Sequence, residues 1–200
     1  MHRTTHIVLL GLMVFALSCT PVPTPIPEPT PTPSPPVDVG GGFDTPEPGD
    51  TSPGQFEGTA GIVEVKRDSM EVATLKAVRT GRHPQFERVV FEFEGKEVPG
   101  YHIEYIDKPV RDCGAGEVVP VRGDGFLRVR MAPARAHTEE GQPTIEQRVL
   151  EPNFSLLKEL KIICDFEANV NWVFGLSSPN RYRVLELSNP ARLVVDIRSK

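Results

Sequence analysis

Three cysteines and five histidines are the side chains of this 200-residue chain from which catalysis or metal binding would be built. Cys113 and Cys164 stand far apart, and no histidine lies close beside either, which is poor spacing for zinc. In an oxidising compartment two such thiols are expected to form one disulfide. A loop of about 50 residues would be stabilised by roughly 4 kcal/mol. Two of the histidines sit near the N-terminus, leaving His83, His102 and His137. A zinc hydrolase needs His and Glu ligands on a rigid frame plus an acid/base carboxylate. His83, His137 and Glu139 would meet that need only if folding brought them together. The chain has no phosphate loop, no HExxH, no GxSxG and no CxxC. The expectation is a protein that is not an enzyme and takes no cofactor or metal. Binding of a polar polymer would call on arginines and rings instead. Arg79, Arg82 and His83, in the turn Arg79-Thr80-Gly81-Arg82-His83, and His137, which opens a polar run, are the candidate ligand-binding residues. Trp172 alternates with apolar neighbours and is expected in the core. Arg122-Gly123-Asp124 spells an adhesion tripeptide but reads as a tight turn before a strand.

Cys19 belongs to a different chemistry. An apolar run from Ile7 to Leu17 comes after Arg3. It is too short for a span, which takes roughly 20 residues, and it fits the apolar region of a secretory signal. The run closes on Phe15-Ala16-Leu17-Ser18-Cys19, which resembles a bacterial lipobox. Ser18 is the small residue such a site needs, and Ala16 stands where Leu, Val or Ile is usual. Residues 1–18 are therefore expected to be a lipoprotein signal peptide, and Cys19 the lipidated residue. The alternative is plain export with an unmodified thiol.

Beyond Cys19 the chain must position a domain. Residues 21–54 hold 12 of the 21 prolines. A tract such as Pro-Val-Pro-Thr-Pro-Ile-Pro cannot donate backbone hydrogen bonds and favours polyproline II. Residues 19–69 are thus expected to be a lipid anchor and disordered stalk, and residues 70–200 one small domain. Nineteen basic and nineteen acidic residues balance across that domain, so the chain's net charge of −5 sits upstream. A balanced domain offers no field to draw in nucleic acid.

The domain reads as all-β. Val89, Phe91 and Phe93 alternate with polar neighbours, as do Tyr101, Ile103 and Tyr105, then Leu127, Val129 and Met131, then Val170, Trp172, Phe174 and Leu176. Gly, Pro, Asn and Asp break the runs, which argues for a sandwich or barrel. The stretch from Leu156 to Cys164 fits helix and strand equally. Two segments look alike: Arg88-Val89-Val90-Phe91-Glu92-Phe93 and Arg192-Leu193-Val194-Val195-Asp196-Ile197 each read basic, three apolar, acidic, apolar. They suggest a domain of two related halves.

Several segments, in order, resemble the AMIN-like domain: Arg82-His83-Pro84-Gln85-Phe86-Glu87 running on to Phe93, then Gly123-Asp124-Gly125-Phe126-Leu127, then Pro133-Ala134-Arg135-Ala136-His137. Asp165-Phe166-Glu167-Ala168, Trp172-Val173-Phe174-Gly175-Leu176 and Asn189-Pro190-Ala191-Arg192 continue the match. The resemblance covers roughly residues 70–198. It implies a relative of the AMIN domain, a small β-sandwich that carries cell-wall amidases and secretins to the envelope. The implied role is a membrane-anchored, extracytoplasmic module that binds peptidoglycan or another wall polymer. No amidase motif is read in these residues, so recruitment of a secreted or membrane partner is the alternative expectation.

Overall fold

A computed structural model describes residues 56–68 and 70–199; the signal peptide, Cys19 and the proline tract expected from the sequence lie outside the described residues. Every regular element described is a strand: β1 (Val63–Val65), β2 (Ala73–Arg82), β3 (Phe86–Phe93), β4 (Gly100–Ile106), β5 (Gly125–Ala132), β6 (Ala134–Arg135), β7 (Val149–Leu150), β8 (Leu157–Phe166), β9 (Asn169–Leu176), β10 (Tyr182–Leu187) and β11 (Arg192–Arg198). They form a six-stranded sheet, β1-β4-β5-β9-β8-β7, and a five-stranded sheet, β10-β11-β3-β2-β6. The two pack as a sandwich. Its core takes Val89, Phe91, Leu193, Val195 and Ile197 from the smaller sheet. Ile103, Leu127, Val129, Trp172, Phe174 and Leu160 come from the larger. Alternation causes this: successive side chains of a strand point to opposite faces, so every second residue of β3 and β9 enters the core. Each large apolar side chain buried there contributes roughly 1.5–3 kcal/mol. Trp172 is fully buried, with its ring centroid 6.0 Å from that of Phe91, so it is a core residue and not a platform for a ligand.

The ambiguous stretch is strand β8. Its pairing with β9 slips between Leu157 and Glu159 and again between Ile162 and Cys164. Each bulge inserts an unpaired residue and resets which side chains face inward. Leu157, Leu160 and Ile162 are therefore buried although they do not keep a strict period of two. That is why the apolar spacing imitates a helix.

The two similar segments are β3 and β11. They are neighbours in one sheet, paired antiparallel at its centre. Antiparallel pairing sets Arg88 opposite Asp196, Val90 opposite Val194 and Glu92 opposite Arg192. A shared pattern that starts basic and ends acidic is self-complementary in such a pair, since each strand's cation meets the other's anion. Each similar segment is the second strand of a hairpin, β2–β3 or β10–β11, and the two hairpins meet at these strands.

The described fold also begins before residue 70, where the sequence places the boundary. β1 pairs with β4, Val63 opposite Ile103. Upstream of it Thr59 exchanges backbone hydrogen bonds with Tyr182 at 2.8 and 2.7 Å. The Tyr182 hydroxyl lies 2.6 Å from the Gly61 carbonyl and 2.9 Å from that of Ile103. Three residues are too few to show a period, so β1 left little trace in the sequence.

Candidate binding face

The sandwich has two outer faces, and they differ in cover. Residues between β4 and β5 lie over the larger sheet, where Val110, Phe126 and Val173 form a second small apolar cluster. The Cys113–Cys164 disulfide, with a Cα separation of 5.3 Å, clips this loop to β8 as the sequence led us to expect. Backbone contact completes the seat. A Cβ on Gly175 would lie 1.8 Å from the Arg122 carbonyl oxygen, and Gly123 has φ of +127°. Arg122-Gly123-Asp124 is accordingly a packed turn, with the Asp124 amide bonded to the Leu176 carbonyl at 2.7 Å.

The outer face of the five-stranded sheet is partly exposed among the described residues: Arg79 and Leu185 are exposed, whereas Val194 and Asp196 are buried. Strand register arranges it in three cross-strand rows: Arg183, Asp196, Arg88 and Gly81; then Leu185, Val194, Val90 and Arg79; then Leu187, Arg192, Glu92 and Ala77. Four guanidiniums face two carboxylates, an excess of positive charge on a chain of net −5. The first row is built around Asp196, whose side chain is fully buried. Arg88 Nε donates to Asp196 Oδ1 at 2.7 Å and Arg88 Nη2 to Oδ2 at 3.0 Å. Arg183 Nε donates to the same Oδ2 at 3.0 Å. Donating to the Asp196 carboxylate favours the charged guanidinium and raises the pKa of Arg88.

Phe86, opposite Arg198 in the next row of the same face, is the hub of an aromatic group, and Arg198 adds a fifth arginine to this side. The Arg88 guanidinium lies 5.1 Å and that of Arg183 5.0 Å from the centroid of its ring. His83 stacks on it at 4.4 Å, and Phe56 stands 6.2 Å away. Arg183 is also 5.0 Å from the Phe56 ring. Cation–π contacts and the shared carboxylate together fix both guanidiniums in place. Arg88 Nη1 and both terminal nitrogens of Arg183 have no hydrogen-bond partner among the described residues.

The four binding residues read from the sequence do not form one patch. The expected turn at Arg79–Arg82 is instead the end of strand β2, so Arg79 lies on this face, in an ion pair with Glu92, and His83 flanks it through Phe86. Arg82 pairs with Glu87, whose side chain is buried on the core side, and its guanidinium lies 6.0 Å from the Phe154 ring. The register alternates at every residue, so Arg82 belongs to the opposite face from Arg79. His137 is at the other end of β2. It comes just after β6, which pairs with Ala73 and Thr74, and its Nδ1 lies 2.9 Å from Asp165 Oδ1. Ten residues of β2 separate it from His83, roughly 30 Å at the rise of a strand. Glu139 pairs instead with Arg135, at 3.6 Å. Sequence reasoning missed Arg88, Arg183, Asp196 and Phe86. Their signal was present: the basic and acidic positions of the two similar segments become cross-strand partners once those segments are paired.

A family model described as AMIN-like domain matches residues 73–199. No curated protein and no solved structure matches the chain. The matched span includes both hairpins of the open face, and the resemblance noted at residues 82–93 and 189–196 falls on β3 and β11.

Proposed function

Because this chain belongs to the AMIN-like domain family, we propose that it is a membrane-anchored, non-catalytic envelope lipoprotein whose β domain binds peptidoglycan or another wall polymer. The observation that carries the reading is the open face itself, where Arg88 and Arg183 are fixed on one buried carboxylate beside Phe86. Rings and planar guanidiniums suit an extended ligand with sugar faces and polar groups, and neither needs a catalytic group nearby. The Cys113–Cys164 disulfide supports an oxidising compartment. Lipidation of Cys19 and a proline-rich spacer would hold the domain away from the membrane, within reach of the wall.

Purified wall sacculi test the binding, and the membrane fraction tests the anchor. The protein should be retained on sacculi, and Cys19→Ala should move it from membrane to soluble fraction. Failure to be retained would count against wall binding. A second reading, recruitment of a secreted or membrane partner, is favoured by one observation. β10 is an edge strand, and its Leu185 keeps 39 % of its surface exposed. Capture of a protein partner without retention on sacculi would support that reading.

A further inference from the structure

We infer that Arg88 and Arg183 form a subsite for an anionic group, a carboxylate or a phosphate, carried on the polymer; this deepens the wall-binding reading and rests on it for the ligand's setting. Stoichiometry of charge is the first reason. Two guanidiniums share one carboxylate, and both bond the same oxygen, Asp196 Oδ2, at 3.0 Å. The trio therefore keeps one uncompensated positive charge. Its side chains are largely withdrawn from solvent, with 29 % of Arg88, 20 % of Arg183 and none of Asp196 exposed. Like charges held together at a partly desolvated site repel one another, and an arriving anion relieves that repulsion.

Geometry is the second reason. Asp196 uses two of the five N–H donors of Arg88 and one of those of Arg183. Two nitrogens bonded to one oxygen hold their guanidiniums close enough for a single carboxylate or phosphate to bridge the remaining donors. Such planar, forked donors match oxyanions, and being already held in place they lose little entropy on binding. The third reason is the surroundings. Phe86 and Phe56 flank the guanidiniums, which lowers the local polarity and strengthens a charged hydrogen bond. A neutral sugar hydroxyl would gain much less at this site than an anion.

The test uses the full chain, kept soluble by Cys19→Ser, and three probes. Polyglutamate presents carboxylates, poly(glycerol phosphate) presents phosphodiesters, and a chitin oligosaccharide is neutral. Titration calorimetry should show binding to at least one polyanion and none to the neutral oligosaccharide; which polyanion binds more tightly identifies the source of the group. Arg183→Gln should weaken polyanion binding about tenfold, and Arg183→Lys, which keeps the charge but not the fork, should weaken it about threefold. If either variant fails to fold, salt dependence decides: unmodified protein should lose affinity about tenfold or more between low and high salt. Equal binding of the neutral oligosaccharide, or polyanion binding insensitive to salt, would overturn the inference. Polyanion binding without retention on sacculi would leave the subsite standing and remove the wall. Retention on sacculi that ignores both salt and Arg183→Gln would do the reverse.

Discussion

A buried carboxylate between two arginines makes Asp196 the residue on which the open face depends. Asp196→Ala leaves two neighbouring guanidiniums with no counter-charge. The expected loss of stability is about 3 kcal/mol, the lower end for breaking a buried ion pair because both arginines keep some water. Urea denaturation measures it; a loss below about 1 kcal/mol would mean the trio is held by something else. The tyrosines give a second residue-scale prediction. The chain has three, and burial is the largest cause raising each: Tyr101 and Tyr182 are pushed up to about 12, and Tyr105 also upward. Unfolded tyrosine ionises near 10. Between about 10 and 12 the unfolded chain therefore holds fewer protons than the folded one, and stability is full below that window and falls as pH rises through it. A spectrophotometric titration should show little tyrosinate at pH 10, and its appearance should coincide with loss of structure. At this scale the sequence was only half legible. Arg79 and His83 were singled out as part of an expected turn, whereas Arg79 lies within strand β2. Arg88, Arg183 and Asp196 were missed because a polar residue in an alternating strand looks like ordinary solvated surface until its cross-strand neighbour is known.

Elements were easier to read than their partners. The alternating apolar positions of β3, β5 and β9 are buried in the sandwich, as are Tyr101 and Ile103 of β4, whereas Tyr105 is half-buried. Alternation failed at β8, where two bulges break the period, and at β1, which is too short to have one. The likeness of β3 and β11 was visible, but its cause was not. A pattern that is self-complementary when antiparallel shows its pairing only once the two strands are side by side. The disulfide has its prediction here. Cys113 and Cys164 are separated by 51 residues, and the chain-entropy model gives about 4 kcal/mol for closing such a loop. The double variant Cys113→Ala with Cys164→Ala should lose about that much, as read by denaturation with and without reductant. It should also free the loop that covers Phe126 and Val173, raising amide exchange there first. Uniform exchange across the domain would contradict the role of the disulfide as a local clip.

Over the whole molecule, charge is divided. Across residues 4–65 the sequence has acidic residues and no Lys or Arg, whereas the open face of the sandwich carries surplus arginine. Net charge alone hid that face, since the domain's totals cancel and only the pairing of strands gathers Arg79, Arg88, Arg183, Arg192 and Arg198 on one side. The overall class, an all-β sandwich, was legible from period and punctuation. How the loop between β4 and β5 covers part of the larger sheet was not, because that cover depends on a disulfide and on backbone contact at Gly175. The most direct measurement is a map of backbone amide NMR shifts as solubilised wall fragments are added. Wall binding by this face predicts shifts clustered at Arg88, Val90, Arg183, Val194 and Asp196. Shifts confined to the disulfide-clipped loop and the larger sheet, or none at saturating fragment, would contradict it.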